Sequence, residues 1–170
     1  MLKQIQRVLK STKGTTALEY AIILPVLLYL LLGIVDFSLI MYASAVLQGA
    51  TLAAAREGAT GCSTTGQDYD TGCIYTTLAS RVGGLLNTTD DDNPLNVCTV
   101  DYGSVATASL PASPPPCISS SYAPQGAGHI VIYTVTYNWP IVTPFLDKFL
   151  GDGHGNYMLV GTALVQNEPY

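Results

Sequence analysis

The side chains with the most obvious chemical potential lie in three short segments, and none of the three forms a reactive set. Three consecutive aspartates at residues 90–92 point in different directions, which indicates a solvated turn rather than a calcium loop. Aspartate, histidine and asparagine alternate over residues 152–156, but that glycine-rich segment is typical of a hairpin connection. The serines at 119–121 lack a nucleophile-elbow context, and neither His129 nor His154 has a nearby cysteine or serine arrangement. The sequence therefore predicts no enzyme, no metal site and no cofactor.

The four cysteines predict disulfides rather than a zinc site. Cys62, Cys73, Cys98 and Cys117 form an even set, and no C-x-x-C spacing occurs among them. An even count suits an oxidising compartment and two disulfides, for which three connectivities are open. Pairing of nearest neighbours, Cys62 with Cys73 and Cys98 with Cys117, is favoured because each bond closes a short surface loop.

A carboxylate stands at the start of a strongly apolar run. Residues 20–35 carry no charge, and extension to Met41 adds only Asp36, which gives about the 20 residues that a membrane-spanning helix needs. Glu19 directly precedes this run. Ionisable residues at such places are costly and usually functional, but a carboxylate at the level of the lipid headgroups can also be solvated, so the residues alone leave both interpretations of Glu19 open.

The distribution of charge predicts the orientation of the chain in a membrane. The first 14 residues contain four basic and no acidic side chains, whereas beyond Gly58 two basic residues stand against nine acidic ones. Basic residues beside a span keep that end in the cytoplasm. We therefore expect a single-pass membrane protein with its N-terminus in the cytoplasm, its C-terminal part exported and no nucleic acid among its partners.

One long helix must position these groups. Residues 15–57 contain no strong helix breaker except Pro25, which would kink the helix, and Gly58 is a plausible stop. About 43 residues make a helix of about 65 Å, of which a bilayer core covers only about 30 Å. The rest must project outward, packed on its own domain, on related helices or on both. The side chains expected to make that contact are Ile40, Met41, Ala43, Leu47, Ala50 and Ala54.

The exported part reads as a small α+β domain. A short amphipathic helix is predicted at 74–87, a short strand at 96–103, and an antiparallel pair of strands at 129–139 and 156–166. Between the paired strands, Thr143 can cap a short helix that Gly151 ends. Its apolar stripe is expected to close the core, with the membrane or a neighbouring subunit as the alternative. The stripe comprises Ile141, Val142, Phe145, Leu146, Phe149 and Leu150.

The segment around Glu19 resembles the processing site of type IV prepilins. Gly14, four residues, then Glu19-Tyr20, after a basic leader and before an apolar run, is similar to the TadE/TadF-like minor pilins of the tight-adherence (Flp-type IVb) pilus system. The ending VQNEPY at residues 165–170 is also similar to that family. The resemblance is strong over residues 10–58 and moderate over 129–170.

The resemblance implies a structural role and a processing event. A prepilin peptidase would cut between Gly14 and Thr15, separating a leader (1–14) from an assembly helix (15–58) and an exported domain (59–170). Glu19 could then pair with the new ammonium group of Thr15, in its own chain or in the next. The implied partners are the peptidase, other pilins and pseudopilins, membrane lipid and an inner-membrane assembly platform.

Two other interpretations stay open from the residues alone. Ala43-Ser44-Ala45 fits a signal-peptidase site, so the domain could be released after Ala45. The chain could also be an uncleaved, membrane-anchored binding module.

Overall fold

A computed structural model describes residues 15–60, 71–86, 95–104, 112–113, 117, 121–122 and 127–168, with side chains at 15–16, 71–73 and 121–122 left undescribed. The described residues form three helices and four strands. They are α1 (Thr15–Ala59), α2 (Thr71–Val82), β1 (Asn96–Ser104), β2 (Ser121–Tyr122), β3 (His129–Pro140), α3 (Pro144–Leu150) and β4 (Asn156–Gln166). The predicted fold class, a long helix followed by a small α+β domain, is confirmed.

Helix α1 divides into two halves with different surroundings. It runs for 45 residues and continues through Pro25. Residues 17–35 are exposed except for the half-exposed Gly33, whereas beyond them one face is buried. The buried positions recur every three or four residues, so they form a stripe along the helix. This stripe comprises Asp36, Ile40, Ala43, Leu47, Ala50, Thr51, Ala54, Ala55, Gly58 and Ala59. The expectation that Met41 packs with them is wrong, because its side chain is 58% exposed.

The sheet has the strand order β2-β1-β3-β4. The predicted hairpin of β3 and β4 is antiparallel, with Tyr133 opposite Ala163 and Trp139 opposite Tyr157. Strand β1 is antiparallel to β3 on its other side, and the two-residue β2 is parallel to β1. β3 is therefore central, and its alternate residues Val131, Tyr133, Val135 and Tyr137 enter the core against α1 and α2.

Two glycines allow α1 and the sheet to approach closely. A Cβ atom at Gly161 of β4 would collide with the Thr51 hydroxyl and lie 3.2 Å from the carbonyl oxygen of Leu47. A Cβ atom at Gly58 of α1 would collide with the Tyr133 side chain. Any larger residue at either position would push the helix and the sheet apart.

Three contacts show that β4 runs alongside α1 in the same direction. Asp36 contacts Thr143 just before α3, Gln48 contacts Thr162 within β4, and the backbone N–H of Glu168 donates to the carbonyl of Ala59 at 3.0 Å. Order along α1 thus matches order along the last part of the chain. The connection between β3 and β4, which contains α3, consequently lies at the end of the domain nearest the exposed half of α1.

Helix α3 begins and ends as the sequence indicates, but it does not close the core. Pro144 is its first residue and Gly151 follows its last, yet none of its residues is buried. Thr143 stands at the N-cap position without a side-chain capping bond. Its hydroxyl donates to Asp36 instead.

Candidate membrane-anchoring and assembly site

The first half of α1 has the dimensions of a membrane span. Among the described residues, one helix, Ala17–Ala59, is long and apolar enough to cross a bilayer. Residues 17–35, the exposed segment, would extend about 28 Å at 1.5 Å per residue, close to the thickness of a hydrocarbon core. Exposed leucine, isoleucine and valine side chains cover this segment on all sides, as expected of a surface that contacts lipid.

The residues that resemble the prepilin processing site lie at the beginning of this segment. Helix α1 starts at Thr15, and Gly14 lies outside the described residues. Glu19 is exposed one helical turn after Thr15, and the neighbouring Tyr20 is 72% exposed. This spacing would bring a backbone ammonium group at Thr15 within reach of the Glu19 carboxylate. The cleavage and the charge pairing remain predictions.

Asp36 forms a hydrogen-bonded connection between α1 and the loop before α3. Its carboxylate is 5% exposed. One oxygen, Oδ2, accepts from the backbone N–H of Val142 at 3.1 Å, the backbone N–H of Thr143 at 3.0 Å and the Thr143 hydroxyl at 2.8 Å. Three donors on one oxygen satisfy a buried charge that would otherwise be strongly unfavourable. We call this contact the Asp36 latch.

The sequence contained a signal for the Asp36 latch that the sequence analysis did not use. Asp36 is the single charged residue between Tyr20 and Arg56. It stands four residues before Ile40, in the stripe of α1 that faces the domain. A lone carboxylate on an apolar helix face requires hydrogen-bond donors, although the identity of Thr143 as the donor could not be read from the sequence.

A pocket of about 250 Å³ opens beside the latch. Both sides of the contact line it, and its walls are almost wholly apolar. The residues of α1 are Tyr29, Leu32, Val35, Asp36 and Leu39, and those of the β3–α3 connection are Val142, Thr143 and Pro144.

The structure contains a disulfide between Cys98 and Cys117, with the two Cα atoms 5.7 Å apart. It attaches Cys117 to β1, and the carbonyl of Cys117 accepts from the Thr136 hydroxyl at 2.7 Å. Cys62 lies outside the described residues and the side chain of Cys73 is undescribed, so their pairing remains a prediction.

The other segments considered for chemistry have structural roles where they are described. The Asp152 carboxylate accepts from the backbone N–H of His154 at 2.8 Å and of Asn156 at 3.1 Å. These two bonds lower the pKa of Asp152 below its ordinary value of 3.8. His129 Nδ1 lies 2.8 Å from Asp101 Oδ2. No group of three acidic, histidine or cysteine side chains able to hold a metal occurs in the described ranges, and residues 90–92 fall outside them.

Comparison with known proteins finds a similarity over most of helix α1. Residues 14–56, about a quarter of the 170-residue chain, match the family model described as TadE-like protein. Neither the curated proteins nor the solved structures yielded a match. The resemblance predicted from Gly14, Glu19 and Tyr20 is confirmed. Over residues 14–56 the chain is similar to the TadE-like family, which is consistent with a TadE-like pilin of the Tad pilus system.

Proposed function

We propose that this protein is a minor pilin or pseudopilin that takes part in assembly of a tight-adherence (Flp-type) pilus. The family match over residues 14–56 supports a role in Tad pilus assembly, and TadE-like pilins are structural proteins rather than enzymes. The observation that carries the proposal is the two-part helix α1, whose exposed apolar half joins directly to a half embedded in a folded domain.

In this proposal the chain is made as a single-pass inner-membrane precursor. A prepilin peptidase cuts after Gly14, so that Thr15 becomes the first residue and the basic leader is lost. The N-terminus faces the cytoplasm and the acidic domain faces outward. Other pilins and pseudopilins then contact the exposed half of α1, which has no polar groups on its surface between Glu19 and Asp36 other than tyrosine hydroxyls.

In this proposal, Glu19 fixes the axial position of α1 relative to the helix of a neighbouring subunit. Apolar helices can slide along one another, whereas a carboxylate that must reach the ammonium group of a neighbouring Thr15 fixes one axial position. Both charges are unfavourable in lipid alone, and each stabilises the other when paired.

The packing of α1 argues against release of the domain after Ala45. Cleavage there would remove Ile40 and Ala43, which are 3% and 0% exposed, from the core together with the Asp36 latch. The released domain would expose the surfaces that these residues cover. An uncleaved anchored binding module would keep all of these contacts and is the remaining alternative.

The proposal predicts a specific defect for Glu19→Ala. A strain that lacks this protein should lose Flp-type pili and tight surface adherence, and the wild-type gene should restore both. Glu19→Ala should reach the membrane in normal amounts but restore few or no pili, because the charge pair is absent. Glu168→Ala, which removes an exposed carboxylate at the far end of the domain, is the matched control and should restore pili fully.

Two results would count against the proposal. Normal piliation in the deletion strain would exclude a role in assembly and favour the anchored binding module. Full piliation with Glu19→Ala would leave the assembly role intact but would show that charge pairing does not set the register.

A further inference from the structure

Helix α3 presents an apolar surface to its surroundings. Val142, Phe145 and Phe149 are 83%, 60% and 72% exposed, and the two phenyl rings lie 4.8 Å apart between centroids. We call these three residues the α3 patch. Large contiguous apolar surfaces are rare on soluble domains and mark sites of contact.

We propose that the α3 patch inserts into the outer surface of the same bilayer that α1 spans, so that the domain is held against the membrane at a second point. This inference rests on the proposed function in one respect, namely that residues 17–35 lie in the membrane. It adds a membrane contact to a part of the chain outside the region of the family match, which ends at residue 56.

The Asp36 latch sets the height of α3 relative to the bilayer. If residues 17–35 fill a hydrocarbon core of about 30 Å, Asp36 lies at its outer boundary. The backbone N–H groups of Val142 and Thr143 bond to the Asp36 carboxylate at 3.1 and 3.0 Å. The first turn of α3 is thereby held at the level where lipid headgroups begin.

The α3 patch is continuous with the surface that faces lipid. Val142 and Pro144 line the same pocket as Leu32 and Val35 of the span. A lipid chain that packs against Leu32 therefore also reaches Val142. This continuity selects a bilayer as the partner while the chain stands alone in the membrane, before other pilins contact the exposed half of α1.

The acidic side chain of α3 is turned toward the protein and its two phenyl rings away from it, an arrangement that water does not favour. Asp147 Oδ1 accepts from the backbone N–H of Gly155 at 3.1 Å and so faces the hairpin connection. Phe145 and Phe149 point away from the domain. Lys148, exposed in the last turn, can contact lipid phosphate while its stem covers apolar surface. An amphipathic helix with this arrangement suits the interface of a bilayer.

Tryptophan fluorescence in vesicles tests the inference. Phe149→Trp and Phe145→Trp would be made separately in the full chain, with Trp139→Phe so that emission comes from one indole. Leu28→Trp reports the span, and Leu164→Trp reports an exposed apolar position of β4, farther along the domain from the latch. Each protein is reconstituted at low density in vesicles of phosphatidylcholine and phosphatidylglycerol. The acyl chains carry no bromine, bromine near the headgroup to probe the α3 and β4 positions, or bromine near the chain ends to probe Leu28→Trp.

The expected result is a large loss of emission in brominated vesicles for Phe149→Trp, Phe145→Trp and Leu28→Trp, and almost none for Leu164→Trp. Quenching of Leu28→Trp without quenching at either α3 position overturns the inference and leaves the span intact. Blue-shifted but unquenched emission from α3 shows that protein covers the patch, which also overturns it. Absence of quenching for Leu28→Trp would instead contradict the membrane span of the proposed function.

Discussion

The two halves of α1 have similar compositions and opposite environments. Residues 17–35 and residues 40–59 are both rich in apolar side chains and belong to one uninterrupted helix. Leu28 in the first half is 50% exposed, whereas Leu47 in the second is fully buried. Asp36 stands between the halves, at the first position of the stripe that faces the domain.

The difference shows that the size and placement of the side chains, rather than the average hydrophobicity, determine whether each half of α1 contacts lipid or packs on the domain. The first half carries large apolar side chains all round, which suits lipid. The second half places alanines and Thr51 on the face that meets the sheet, so the backbone can approach Gly161 closely. Small residues permit a tight helix–sheet contact, and large ones would prevent it.

The largest effect should come from truncating the buried half. Leu47→Ala should lower the free energy of unfolding of the domain by about 3 kcal/mol, because it leaves a cavity between α1 and the sheet. Leu28→Ala, the matched change in the exposed half, should leave it nearly unchanged. Urea unfolding of the full chain in detergent micelles, followed by the emission of the single tryptophan, Trp139, measures both. Equal effects at the two positions would mean that the halves do not differ as described.

A smaller effect is expected at the boundary between the halves. Asp36→Ala should cost about 2 kcal/mol, because the N–H groups of Val142 and Thr143 lose their acceptor in a largely buried site. Asp36→Asn keeps one oxygen and should cost less. Hydrogen exchange should accelerate at the amides of Val142 and Thr143 in Asp36→Ala, while Ser38→Ala, two residues away on the exposed face, should change neither. Unchanged hydrogen exchange at the amides of Val142 and Thr143 in Asp36→Ala would show that these amides do not depend on the Asp36 carboxylate.

The smallest effect concerns a polar contact of the buried half. The Gln48 side chain donates to the carbonyl of Thr162 at 2.7 Å and accepts from the backbone N–H of Thr162 at 3.1 Å. It therefore satisfies two backbone groups at the outer edge of the sheet, where β4 lies. Gln48→Ala should cost about 1 kcal/mol. Gln166→Ala removes a long, exposed hydrogen bond to Gly128 and should cost less. The same urea titration measures both variants. A larger loss of unfolding free energy for Gln166→Ala than for Gln48→Ala would contradict the contact of Gln48 with β4.

Much of the fold follows from local pattern. The period of the apolar residues predicted α1, although the helix continues through the expected stop at Gly58 to Ala59. Gly151 predicted the end of α3, and alternation predicted β3 and β4 to within a residue. The disulfide of Cys98 with Cys117 agrees with the pairing favoured for short loops. In each case the residues that determine the element lie close together in the sequence.

What the sequence analysis missed depends on distant contacts or on the surrounding medium. The partner of Asp36 lies 107 residues away, so no local pattern reveals that the Thr143 hydroxyl serves Asp36 rather than a helix cap. Of the stripe that was expected to close the core, Ile141 packs against it, whereas Val142, Phe145 and Phe149 are exposed. An apolar stripe has the same spacing in both cases. Met41 was expected in the contact because of its place in the helical pattern of apolar residues, but it lies on another face and is exposed.

The measurement that tests the central claim most directly is the N-terminal sequence of the protein from native membranes, with and without the prepilin peptidase. The account predicts a start at Thr15 that shifts to Met1 when the peptidase is absent. A start at Met1 in both strains would contradict processing and leave an anchored module, and a start at Val46 would show that the domain is released from the membrane.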